Sequence, residues 1–126
     1  MSTDNEKFNT IMPETTDKVL CVQVDKVFSE EGYKENFLPR VKMMIEKYGE
    51  IRVLLNYVEF KGWEHNAAKE DMVSSAALGS KLKKLALVNP PESEIFHRSM
   101  KSDILSGETK VFATEKLNEA LEWIKS

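Results

Sequence analysis

The sequence predicts an α/β domain with a mixed, mostly parallel sheet of about five strands and four helices. Short apolar runs alternate along the chain with segments in which apolar residues recur every three or four positions. Such alternation is typical of parallel strands joined by helical crossovers. With 126 residues, 41% of them hydrophobic and 31% charged, the chain has the size and composition of one globular domain. We therefore expect a single domain over residues 1–126, with residues 1–7 flexible.

The first half of the chain carries two predicted strands and a long helix. The run KVLCVQVDKVF, Lys18–Phe28, is rich in β-branched residues and predicts a core strand. Upstream, FNTIM predicts a short strand that pairs antiparallel with Val19–Val27. Ser29 is a suitable N-cap for the helix that follows. Pro39 is expected to kink or split that helix, and Gly49 to end it.

The second half predicts three more strands, each followed by a helix. IRVLLNYVEF, Ile51–Phe60, is apolar at nearly every position, so this strand is expected to be covered on both faces. The segment NAAKEDMVSSAALGSKL predicts a helix with small side chains. KLALV predicts the next strand, and Pro91 is well placed to open another helix. TKVFA, Thr109–Ala113, predicts the last strand, with Thr114 capping the final helix.

Two sequence stretches resemble the SpoIIAA-like family, relatives of the STAS domains. YKENFLPRVKMMIEKYGEIRVLLNYVEFKGW resembles the family's tyrosine-bearing helix, leucine–proline step and strand ending in F-x-G-W, here residues 60–63. EKLNEALEWIKS resembles its closing helix. The resemblance covers about residues 16–126. It implies the SpoIIAA-like (STAS) fold, with helices mainly on one side of the sheet, and a distant structural kinship with lipid-binding CRAL-TRIO domains.

One departure from the related bacterial anti-sigma-factor antagonists bears on regulation. Those proteins carry a phosphorylatable serine at the start of the helix that follows the strand placed here at Ile51–Phe60. In this chain no Ser or Thr occurs from Tyr57 through Val73, and the first hydroxyls are those of Ser74 and Ser75. A phosphate there would lie away from the positive end of the helix dipole. A serine-phosphorylation switch is therefore not expected.

Charge and motif content argue against several classes of function. A net charge of −3 and a pI near 5.5 do not fit a nucleic-acid-binding surface. His65 and His97 lack the spacing of metal ligands, so neither a metal nor another cofactor is expected. Glu64, His65, Glu70 and Asp71 are interpreted as a solvated helix face rather than as general acid–base groups. We therefore predict no enzymatic activity and no catalytic residue.

The single cysteine, Cys21, lies in an apolar run and is interpreted as a structural residue of a protein from a reducing compartment. No signal peptide or membrane-spanning run is visible. These observations favour a cytoplasmic protein that is at most peripheral to a membrane.

We also expect a homodimer, because apolar positions such as Phe8, Ile11, Phe96 and Trp123 exceed what a small domain readily buries.

The junction between the Ile51–Phe60 strand and the next helix is the candidate site. Trp63 is either a core lid with a satisfied N–H group or an exposed apolar anchor. In the second case an apolar cleft would form, with predicted ligand contacts at Phe60, Gly62, Trp63, His65 and Met72.

The leading hypothesis is a non-enzymatic domain that binds an apolar, lipid-like ligand or a membrane interface through Gly62–Asp71. The alternative is a regulatory protein–protein module without the phosphorylatable serine. A continuous apolar cavity beneath the helix at Ala67–Leu82 would favour the ligand, whereas a flat exposed patch would favour a protein partner.

Overall fold

The computed structural model describes residues 9–92, 94–95 and 107–126. They form a five-stranded sheet in which each strand lies beside its neighbour in sequence. The strands are β1 (Asn9–Ile11), β2 (Val19–Phe28), β3 (Ile51–Trp63), β4 (Leu82–Val88) and β5 (Glu108–Phe112). β1 pairs antiparallel with β2, and the other three pairings are parallel. The predicted mixed, mostly parallel sheet is confirmed, including the antiparallel first strand.

Three helices lie within the described residues: α1 (Leu38–Tyr48), α2 (His65–Leu78) and α3 (Leu117–Lys125). A short α-helical turn (Glu30–Gly32) and a π-helical turn (Tyr33–Phe37) precede α1. Ser29 Oγ accepts a hydrogen bond from Gly32 N at 3.0 Å, as expected of an N-cap. The helix predicted to open at Pro91 falls largely outside the described residues.

The two faces of the sheet pack against different helices, because successive strand residues point to opposite sides. One face contacts α2 and the region from the π-helical turn through α1. It carries Leu20, Val22, Val24, Val53, Leu55, Tyr57, Leu85 and Leu87. The other face packs against α3 and carries Val19, Cys21, Leu54, Ala86 and Val88. β3 is therefore covered on both faces, as its apolar run predicts, with two of the three described helices on one side.

The carboxyl-terminal half of β3 differs from the sequence prediction. The strand continues to Trp63 rather than ending at Phe60, because a bulge interrupts its pairing with β2 and the pairing then resumes. Asp25 lies opposite Val58, whereas Val27 lies opposite Gly62. Three β3 residues therefore face one β2 residue, an irregularity larger than a simple one-residue bulge.

Positive backbone angles make this irregularity possible. Lys26 and Glu59 have φ values of 63° and 50°, and Gly62 has φ 132°, a conformation that favours glycine. The resumed pairing sets Trp63 opposite Phe28. Gly62 is consequently part of the paired strand, and a single residue, Glu64, separates β3 from α2.

The end of α2 also differs from the prediction. The helix ends at Leu78, a single 3-10 turn (Gly79–Lys81) follows, and β4 begins at Leu82, which the sequence analysis placed in the helix. The turn brings the chain directly back to the sheet beneath α2.

Candidate functional site

An apolar cavity of about 90 Å³, partly open to solvent, lies between α1, α2 and the sheet. Most of its wall consists of aliphatic and aromatic side chains. The apolar lining residues are Phe28, Phe37, Leu38, Val41, Ile45, Ile51, Val53, Leu55, Leu78, Leu82 and Leu85. Tyr33, Asp71, Ser74, Ser75 and Gly79 complete the lining. The cavity lies beneath α2, which is the arrangement that the sequence analysis associated with a ligand.

The composition of α2 explains why space remains there. Ala67 is fully buried, and Ser75 and Gly79 are also buried. Small side chains at these positions bring the helix backbone near the sheet but fill little of the volume between α2 and α1. The side chains of α1 that line this space have no atoms opposite them, so they lose dispersion contacts.

One wall of the cavity is polar and buried. Asp71 is only 6% exposed, and its Oδ1 accepts a hydrogen bond from the Tyr33 hydroxyl at 2.7 Å. Ser74 lies beside the Tyr33 hydroxyl. Burial, together with the Asp71 carboxyl group, raises the pKa of Tyr33 well above its ordinary value, so the phenol stays protonated and donates. The expectation that Asp71 lies on a solvated helix face is wrong, because α2 turns this residue toward the sheet.

A second buried carboxyl group lies at the carboxyl end of β3. Glu94, 4% exposed, accepts hydrogen bonds from the Tyr57 hydroxyl and from the Trp63 indole N–H. Glu94 was not among the residues predicted from the sequence, since a glutamate in PPESEIF resembles an ordinary surface residue. The available signal was indirect: Tyr57 and Trp63 are large aromatic donors at a buried strand end, and buried donors require an acceptor.

Trp63 is partly buried and packs against the edge of the hydrophobic core. Its half-buried ring stacks on Phe28, with 4.4 Å between ring centroids and 17° between planes, and lies 5.9 Å from the Tyr33 ring. With its N–H bonded to Glu94, Trp63 has the arrangement of the core lid, not of the exposed anchor. The two interpretations left open by the sequence are thereby separated.

A model of the SpoIIAA-like family matches residues 19–125. The chain belongs to the SpoIIAA-like family. Among solved structures, it is similar to an uncharacterised protein of the DUF3478 family with a SpoIIAA-like fold from Shewanella loihica PV-4. The identity is 23%, the TM-score is 0.68, and the match covers 92% of this chain and 93% of the other. No curated protein matches the chain. The fold expected from the resemblance is therefore confirmed.

The predicted ligand contacts of this SpoIIAA-like domain lie outside the cavity lining. Phe60 is half-buried against Tyr57, with ring centroids 4.8 Å apart. Gly62 and Trp63 pair within the sheet, His65 is exposed in the first turn of α2, and Met72 is half-buried on the same helix. Their role as ligand contacts stays a prediction. The cavity instead uses other residues of α2, of which only Asp71 belongs to the predicted Gly62–Asp71 junction.

The two α2 serines are poorly placed for a phosphorylation switch. α2 begins at His65, so Ser74 and Ser75 lie in its third turn. Ser75 is 9% exposed, and Ser74 is half-buried beside Tyr33. A phosphate at either position would lose hydration without reaching the helix N-terminus.

Cys21 lies fully buried on the α3 side of the sheet. Burial raises its pKa from its ordinary value to about 11, so the thiol is protonated and weakly nucleophilic at neutral pH.

Within the described residues, no three His, Cys, Asp or Glu side chains converge as metal ligands, and none of the helices there is long and apolar enough to cross a membrane. His97 lies outside the described residues.

The apolar residues behind the homodimer prediction are accommodated in different ways. Ile11 is half-buried against the core on the α1 side. Trp123 is half-buried, 6.0 Å from the Phe112 ring, and Lys84 Nζ lies 4.9 Å from its centroid. Phe8 and Phe96 lie outside the described residues. The homodimer stays a prediction.

We expect the domain to lose stability at alkaline pH through Tyr33 and Tyr57. Burial raises the pKa of both phenols, and their hydrogen-bonded carboxyl groups raise it further. Above about pH 10 the tyrosines of the unfolded chain lose protons that the folded chain keeps. The stabilisation that the two protonated phenols give the folded state is fully present below that pH. It is lost as the pH rises, since the unfolded state then binds fewer protons than the folded state.

Urea unfolding from about pH 8 to about pH 11 measures this dependence. Tyr33→Phe and Tyr57→Phe should each flatten the alkaline decline in the free energy of unfolding. Tyr48→Phe, at the end of α1, is the matched control for removing a tyrosine hydroxyl. If the free energy of unfolding of Tyr33→Phe and of Tyr57→Phe declined as steeply with pH as that of the wild type, the decline would not arise from these two tyrosines.

Proposed function

We propose that this SpoIIAA-like domain binds a small apolar ligand, or the apolar end of a longer amphiphile, in the cavity between α1 and α2. The observation that carries the proposal is the mostly apolar cavity beneath α2. Ligand sites are typically apolar clefts with a few convergent polar groups. Here those groups are supplied by Asp71, Ser74, Ser75 and Tyr33.

The size of the cavity limits what it takes. Its volume of about 90 Å³ is smaller than the roughly 150 Å³ of an engineered apolar cavity that accommodates benzene. A slim alkyl chain fits this space better than a ring system, and a longer molecule would extend through the open side. An occupant would restore dispersion contacts that the void lacks.

Packing on α2 favours ligand entry. The helix faces the sheet with Ala67, Asp71 and Ser75 as its buried residues and has few bulky interlocking side chains there. A helix held in this way is expected to shift at lower free energy than one locked by Leu or Phe.

The protein-partner alternative has weaker support. Met43 and Val73 expose apolar side chains on α1 and α2, at 51% and 64%. Single exposed apolar residues are common on soluble proteins and do not by themselves mark an interface. The packed position of Trp63 also removes the exposed anchor on which the membrane-interface hypothesis depended. No enzymatic role is proposed.

Filling the cavity is expected to weaken ligand binding. Ser75→Leu adds an apolar side chain at a lining position, whereas Ala76→Leu adds the same side chain at the adjacent exposed position. Native mass spectrometry of gently purified protein should detect a bound compound with the wild type and Ala76→Leu, and less of it with Ser75→Leu.

Xenon tests the empty cavity independently, because this gas binds dry apolar cavities. Amide chemical-shift changes under xenon pressure should cluster at the cavity lining in the wild type and vanish in Ser75→Leu. Melting temperatures of both variants exclude unfolding as the cause. Xenon shifts that are absent from the wild type, or that persist in Ser75→Leu, would contradict the proposal.

A further inference from the structure

We propose that the ligand carries a hydrogen-bond-donating head group, a hydroxyl or an ammonium, that binds at Asp71, and that the cavity rejects carboxylate head groups. This inference rests on the proposed function and specifies the ligand class of the same cavity.

The polar groups of the cavity converge on one wall. Asp71, Ser74 and Ser75 lie in consecutive turns of α2, and the Tyr33 hydroxyl reaches the first of them at 2.7 Å. Asp71 and Ser75 are both almost completely buried, at 6% and 9% exposure. The rest of the lining is apolar apart from Gly79. A bound amphiphile therefore has one polar wall at which its head group can be satisfied.

The chemistry of that wall is dominated by acceptors. The Tyr33 hydroxyl already donates its only proton to Asp71 Oδ1, so toward a ligand its oxygen can act only as an acceptor. The Asp71 carboxylate accepts hydrogen bonds only, and the serine hydroxyls both donate and accept. The lining residues that the structure describes include no Lys, Arg or His that would neutralise a second negative charge.

Charge then discriminates between head groups. An anionic head group beside an ionised Asp71 would lie in a region shielded from water, where like charges repel strongly. A hydroxyl or ammonium instead donates hydrogen bonds to these acceptors. The new bonds offset the free-energy cost of removing water from the polar wall when a ligand enters. Free fatty acids are therefore poor ligands, and alkyl alcohols and alkylamines are preferred.

A matched set of probes with one alkyl chain tests this preference. Hexan-1-ol, hexylammonium and hexanoate are titrated into the protein near neutral pH at moderate salt, and dissociation constants are taken from α2 amide shifts. We expect the alcohol and the ammonium to bind about tenfold or more tightly than hexanoate, a difference that one hydrogen bond or one local repulsion supplies.

Asp71→Asn tests the residue itself, because asparagine keeps an acceptor for Tyr33 and removes the charge. Hexanoate should then approach hexan-1-ol in affinity, and hexylammonium should lose its advantage over hexanoate. Glu122→Gln makes the same charge change at an exposed position of α3, across the sheet from the cavity, and should leave the order of affinities intact.

The possible results separate this inference from the proposed function. Equal binding of the three probes to the wild type, or tightest binding of hexanoate, would overturn the inference while leaving an apolar site in place. Absence of both probe binding and xenon shifts would overturn the proposed function. If Asp71→Asn does not fold, the order of the three probe affinities for the wild type still tests the inference. Ser75→Leu should weaken the binding of all three probes together.

Discussion

Replacing Leu55 with aspartate is expected to unfold this SpoIIAA-like domain. Leu55 is 7% exposed in β3, where it pairs with Val22 of β2 and Leu87 of β4. An unpaired buried carboxylate costs several kcal/mol, against a typical total stability of about 5–15 kcal/mol. The neighbouring cavity wall carries Asp71, so repulsion adds to the loss of hydration. Circular dichroism should show no cooperative thermal transition.

Val58→Asp is the matched control for this substitution. Val58 lies three residues further along the same strand and is 37% exposed, so its side chain reaches solvent. We expect that variant to melt close to the wild type. A Leu55→Asp protein with near-wild-type melting would show that β3 is not the buried central strand described here.

Glu94→Ala is expected to lower the free energy of unfolding by about 2–5 kcal/mol, since each buried polar group left unsatisfied costs about 1–3 kcal/mol. The substitution removes the acceptor of the Tyr57 hydroxyl and of the Trp63 indole N–H. Tyr57 is 2% exposed, so water does not readily replace the lost acceptor. Urea unfolding with a constant slope measures the change.

Three further variants make this prediction specific. Glu92→Ala removes a carboxyl group from an exposed position two residues earlier and should have little effect. Glu94→Gln retains an acceptor and should fall between alanine and the wild type. In a Tyr57→Phe background, Glu94→Ala should cost less, because the donor that it orphans is already gone. Equal losses for Glu92→Ala and Glu94→Ala would contradict the buried network.

The sequence by itself determined the elements of this protein whose signals are local. The apolar run from Ile51 predicted a strand covered on both faces, Ser29 predicted a helix N-cap, and Gly49 predicted the end of a helix. Each follows from side-chain periodicity or backbone preference within a few residues. The F-x-G-W motif at residues 60–63 and the closing stretch EKLNEALEWIKS likewise sufficed to indicate the SpoIIAA-like family.

Only the tertiary structure decided the course of β3 beyond Phe60. The strand continues because β2 supplies pairing partners for Gly62 and Trp63 after the bulge. No preference of the local sequence encodes that pairing, since β2 lies far away in the chain. The same continuation turned Trp63 from a candidate anchor into a packed ring.

The identity of the buried polar residues was also decided by tertiary structure. Tyr33 and Asp71 are separated by 38 positions, Tyr57 and Glu94 by 37, and Trp63 and Glu94 by 31. A carboxyl group can remain buried only where a donor reaches it, and these donors come from other elements of the fold. The cavity depends in the same way on the distance between α1 and α2, a quantity that neither helix specifies alone.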